Sequence, residues 1–151
     1  MAKRPAAASG FDQHLFRGCI MKQSLRLEGF PVYAIEIGRD ETPYRSVDEI
    51  AAYFRALIEA HEYACIVAEF DHVAHTRSLA GGQVADGIRA AKNLVFCFGL
   101  TLPDPLALAT RPRSIGIAET DDGFVVTFIE APMPVVNAAM EDWAKGLQGA
   151  E

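Results

Sequence analysis

Apolar residues recur along this chain at two different spacings, and the switches between them mark its elements. From Ile20 to Ile37 the alternation is that of strands. Leu25 and Leu27 alternate with polar neighbours, Glu28-Gly29-Phe30-Pro31 supplies turn chemistry, and Tyr33, Ile35 and Ile37 alternate with Ala34 and Glu36. Two strands about a turn are predicted, with Phe11, Leu15 and Phe16 forming a short docking helix ahead of them. The period then lengthens. Val47, Ile50, Ala51, Phe54, Leu57, Ile58 and His61 share one helical face, and Ser46 with Glu49 makes a capping box, so a helix over 47–61 follows.

Tyr63 to Phe70 is apolar at both alternating sets of positions, which predicts an interior strand with both faces largely covered. Gly81-Gly82 and Gly87 punctuate a short helix near 83–91, and Leu94–Phe98 reads as a second interior strand. Pro103 and Pro105 admit a short helix near 104–110, ended by Arg111-Pro112. Ser114–Glu119 and Phe124–Glu130 flank Thr120-Asp121-Asp122-Gly123, where Asp-Gly provides the positive dihedrals of a hairpin turn. After Ala131-Pro132-Met133-Pro134, the stripe of Val136, Ala139, Met140, Trp143 and Leu147 predicts a closing helix over 133–147. The sum is an α+β fold: a single mixed, mostly antiparallel sheet, two main helices on one face, and short helices in the connections. Residues 1–10 are expected to be a disordered tail and 11–151 a single α+β domain.

Composition narrows the function classes. At 151 residues, half of them hydrophobic and 23% charged, the chain can bury one sizeable core without disulfide or metal staples. A net charge of −6 disfavours general nucleic-acid binding. Asp12, His14 and Arg17 interrupt any signal-like apolar stretch, and no run approaches membrane-spanning length, so a cytoplasmic location is expected. Cys19, Cys65 and Cys97 are odd in number and widely spaced, which fits free thiols in a reducing compartment. Cys97, between Phe96 and Phe98, reads as a small core hydrophobe, and Cys65 reads the same way.

The order of these motifs resembles a family. Ser46-Val47-Asp48-Glu49-Ile50 opens the helix, Asp71-His72 follows the strand Ile66–Phe70, and Phe98-Gly99 closes the next. Ile115-Gly116 then leads to Asp122-Gly123 and Ala131-Pro132. Over residues 33–132 this resembles the bacterial domain of unknown function 302. That resemblance implies the α+β fold and a dimer, and supplies no activity to carry over. Glu62-Tyr63 and Leu100-Thr101-Leu102-Pro103 depart from the family pattern, so the segment after Gly99 is expected to be shaped differently.

The polar residues of interest gather in Phe70-Asp71-His72-Val73-Ala74-His75. Asp71 and His72 point to opposite faces if the strand runs on, and can cooperate only if the chain turns at once. The plain reading is that Asp71 caps or turns the chain while His72 bonds a nearby backbone group. Two others stay open: a small-ligand or acid/base site, and a metal set in which His72 and His75 are joined by the carboxylate of Glu69 or Asp71. Gly81-Gly82-Gln83 before a helix could hold an anion if Arg89, Lys92, Arg111 and Arg113 gather around it. The leading expectation is a non-enzymatic homodimer that binds a small molecule or a protein partner. Its ligand-binding residues are Asp71, His72, His75, Phe98 and Gly99, at the rim of a cleft formed by the ends of the strands containing Phe70 and Phe98. The alternatives are an enzyme using Asp71 and His72 as acid/base groups, and a purely structural assembly protein. No cofactor, metal, nucleic acid or membrane partner is expected.

Overall fold

Strand β1 (Val32–Gly38) leads through the Ser46 cap into helix α1 (Val47–Ala60), then β2 (Ala64–Asp71), helix α2 (His72–Ser78) and β3 (Ile88–Phe98). A 3-10 helix (Pro105–Thr110), the hairpin β4 (Arg113–Thr120) and β5 (Gly123–Ile129), and helix α3 (Pro134–Lys145) complete the chain. The computed structural model describes Gly29 and residues 31–149. The predicted tail, docking helix and first strand lie outside those residues.

The five strands form one sheet in the order β1-β5-β4-β3-β2, with all four pairings antiparallel. The α+β expectation holds, and both long helices pack on one face. That face carries the core: Ile37, Leu94, Phe96, Ile115, Ile117 and Val126 from the strands meet Ile50, Phe54 and Ile58 of α1 and Met140 and Ala144 of α3. Helix α1 forms as its pattern demands. Ser46 Oγ accepts from the Glu49 amide at 3.1 Å, and the Glu49 carboxylate reaches back to the Arg45 amide at 2.7 Å. Among the described residues no helix is long and apolar enough to cross a membrane.

Three expectations are corrected. Residues 83–87 are not helical, and β3 starts at Ile88, because pairing with β4 claims a segment whose local preference is ambiguous. The turn of the β4–β5 hairpin does not use a positive dihedral at Gly123, which is absent from the left-handed glycines. A side chain there would instead run into the Ile37 carbonyl of β1, so glycine is required by close strand approach. Most consequential, β2 is an edge strand and not an interior one. On the face away from the long helices, Val67 and Phe70 are exposed.

Candidate functional site

The chain does turn immediately after β2. Asp71 is the N-cap of α2, its Oδ1 accepting from the Ala74 amide at 2.8 Å. His72 Nε2 lies 2.7 Å from Asn93 Oδ1, and Asn93 Nδ2 donates to Ser114 Oγ, a polar chain across β3 and β4 on the open face of the sheet. The Phe70 ring packs against both His72 and His75, with centroids 4.8 and 5.2 Å apart. Asp71, His72 and His75 are thus brought together: Asp71 caps the helix as the plain reading has it, whereas His72 bonds a strand side chain and not a backbone group.

Phe98 and Gly99 are not part of that group. In the antiparallel β2–β3 pair, Phe70 faces Asn93 while Phe98 faces Ala64, so the two phenylalanines stand at opposite ends of the pair. Ala64 and Phe70 are six residue steps apart along the strand, a span of about 20 Å. A cleft uniting the two strand ends would need them parallel, and neighbouring antiparallel strands end on opposite sides of a sheet.

Glu69 is also removed from the histidines. A register shift between Ile66 and Ala68 leaves Val67 as an extra residue and turns Glu69 to the helix-covered face, opposite Leu94. There its carboxylate accepts from Arg55 at 2.9 Å and Lys92 at 2.8 Å, and Lys92 also meets Asp48 at 2.6 Å. Hydrogen bonds from Lys92 and then Arg55 hold Glu69 below the usual carboxylate range, while those that Lys92 donates to Asp48 and Glu69 push it above the ordinary amine value. Among the described residues, no group of three or more His, Cys, Asp or Glu is placed to hold a metal ion.

The proposed gathering of cations around Gly81-Gly82 does not form. Arg89 pairs with Asp121 and Lys92 with Asp48 and Glu69, and residues 83–87, directly after Gly82, are not helical. Arg111 and Arg113 stand elsewhere, beside the Gly99 end of β3. Arg113 is buried, donates to the carbonyls of Thr110 and Ile129, and is pushed below the ordinary arginine value by desolvation.

At that end the chain makes a groove that the sequence did not reveal. One arm, of about 480 Å³, runs between the open face of β2 and β3 (Val67, Cys97) and the connection carrying Leu102 and Leu108. The other, of about 370 Å³, runs between Tyr63 and Phe98 and the start of α3. Both arms share Gly99, Leu100, Thr101 and Arg111. Their walls are mainly apolar, and Leu100, Leu102, Leu106 and Leu108 are all exposed. The leucines occur at irregular spacing between prolines, so no periodicity marks them as a surface. Cys65 faces Cys97 directly across the β2–β3 pair, and both are free thiols.

A family model described as a family of unknown function, DUF6858, matches residues 21–149. The match supports a domain of unknown function but not domain 302, which the motif order resembles. Capped helices, strand-end aspartates and glycine hairpins are local solutions that many α+β chains share, so their order is a weak discriminator. Neither a curated protein nor a solved structure matches the chain.

Proposed function

We propose, for a chain that belongs to the family of unknown function DUF6858, a non-enzymatic binding role in which the groove around Gly99 holds a small, largely apolar molecule. The observation that carries this reading is the meeting of two apolar arms at one guanidinium, that of Arg111. Arms of about 480 and 370 Å³ fall in the usual range for small-molecule sites, which are apolar with a few polar groups. Of the residues expected to bind ligand, Phe98 and Gly99 line this groove, whereas Asp71, His72 and His75 lie at the far end of β2. Catalysis by Asp71 and His72 is the weaker reading, because Asp71 is engaged as a cap and His72 with Asn93.

The protein acts as a homodimer in this reading. Its support is the exposure of the leucines at 100, 102, 106 and 108 together with Val67, since grouped apolar side chains on a surface commonly mark an interaction site. A second copy over that patch would close the groove. The free thiols Cys65 and Cys97 fit a reducing cytoplasm.

Native mass spectrometry of the purified full chain tests both parts. The expected result is a dimer carrying a small organic adduct that is released on denaturation. A ligand-free protein whose Gly99 and Leu100 amide resonances respond to no apolar small molecule would overturn the reading.

A further inference from the structure

We infer that the groove takes an apolar monocarboxylic acid, its carboxylate on the Arg111 guanidinium and its hydrocarbon body along the apolar arms. This rests on the reading that the groove holds a small molecule, and names that molecule's class. Arg111 lines both arms, so a group bound to it can extend an apolar tail into either.

The guanidinium is incompletely satisfied. It donates to the Thr101 carbonyl and, at 3.5 Å, to the Met133 sulfur, a weak acceptor, while its Nε is buried without a partner. Among the described residues no carboxylate lies within ion-pair distance of it. The group is half-buried, with its terminal nitrogens reachable from the groove, so an anion bound there would meet spare donors and no competing carboxylate.

It is also held in place. Gly99 sits at φ +153°, and a Cβ there would come within 2.8 Å of the guanidinium carbon. The plane of the cation therefore lies against the Gly99 backbone, in space that any other residue would fill.

The surroundings favour one negative charge. Helix α3 opens on the same arm, with Val135 and Val136 in its lining and Met133 as an N-cap that contributes no side-chain hydrogen bond. The helix start adds the same sign of potential to a site defined by the cavity and Arg111. Arg113, likewise without a carboxylate partner among the described residues, stands two positions away. A doubly charged phosphate would meet a single accessible cation on a chain of net charge −6, whereas a planar carboxylate matches the guanidinium fork.

The test is calorimetric titration of the full chain with octanoate, 1-octanol and acetate at pH 7, with amide shifts of Gly99 and Leu100 locating the binding. Octanoate is expected to bind roughly tenfold to hundredfold more tightly than 1-octanol, as a charge-assisted pair should, and acetate more weakly than either. Arg111→Met should bring octanoate down to the level of 1-octanol, and a variant that still prefers octanoate by about tenfold would overturn the inference. Equal affinity for octanoate and 1-octanol in the unaltered protein would overturn the carboxylate while leaving groove binding intact. No binding of either would overturn both. Should Arg111→Met fail to fold, Arg111→Gln removes the charge while keeping a side-chain donor for the Thr101 carbonyl. It is expected to lower octanoate affinity at least tenfold, and an unchanged affinity would overturn the inference.

Discussion

Asp71 and Glu69 are two residues apart, and the end of β2 at Asp71 gives them different tasks, Glu69 staying within the strand while Asp71 caps the helix that follows. Asp71 closes the first turn of α2, so Asp71→Ala should cost about 1 kcal/mol, a fall in melting temperature of about 2–4 °C. His72→Ala loses one exposed hydrogen bond to Asn93 and should cost about 1 kcal/mol or less. Glu69 is set by its cations. Lys92 and Arg55 lower its folded value below the ordinary carboxylate range, so its contribution is present above the unfolded value and lost as pH falls through the folded one. Because the group is partly solvated, that contribution is on the order of 1 kcal/mol. Urea titrations between roughly pH 3 and 7 should show the acid limb of stability less steep in Glu69→Gln than in the unaltered protein.

At the scale of elements, the strongest local signals and the tightest contacts coincide in α1 and the hairpin. Ser46→Ala removes the cap acceptor of α1 and should cost about 1 kcal/mol. Gly123→Ala should cost more, about 2–3 kcal/mol, because the added methyl meets the Ile37 carbonyl of a paired strand and can be relieved only by moving β1 away from β5. Chemical denaturation of the two variants would reverse that ranking if Gly123 served only as a flexible turn. The two strands read as interior from their apolar runs fared differently. β3 lies between β2 and β4, while β2 is at the edge, since a run apolar on both faces records only that both faces avoid polar groups.

For the whole molecule the question is what covers the second face of the sheet. The core on the helix side is closed: Phe96 and Phe54 are fully buried, whereas Trp143 packs at the rim of the cluster. Phe96→Ala should therefore cost about 3–5 kcal/mol and Trp143→Ala about 2 kcal/mol, and equal losses would count against this placement of the core. On the other face the leucines of residues 100–108 are exposed in the single chain. If a second copy covers them, sedimentation at tens of micromolar, on the order expected of a modest apolar interface, should show a dimer that Leu108→Glu dissociates. A monomer at that concentration in the unaltered protein would remove the dimer.

Local periodicity and capping were enough for α1, β1, β4, β5 and α3, because those elements carry their own start, stop and buried stripe in Ser46, Tyr33 to Ile37, the Asp122-Gly123 turn and Val136 to Leu147. The same logic was enough to offer Asp71 as a cap, since its partner amide is three residues away. Strand order was not available at that level. Whether Phe70 and Phe98 share an end of the sheet depends on antiparallel pairing, and whether Glu69 joins His72 depends on one extra residue at Val67. Arg111 is the clearest case. In the chain it is one of several scattered cations, and it becomes the junction of a groove only when β3, the connection after Gly99 and the start of α3 converge from residues more than thirty positions apart. Contacts of that range are decided by packing and pairing, which no window of neighbouring residues encodes.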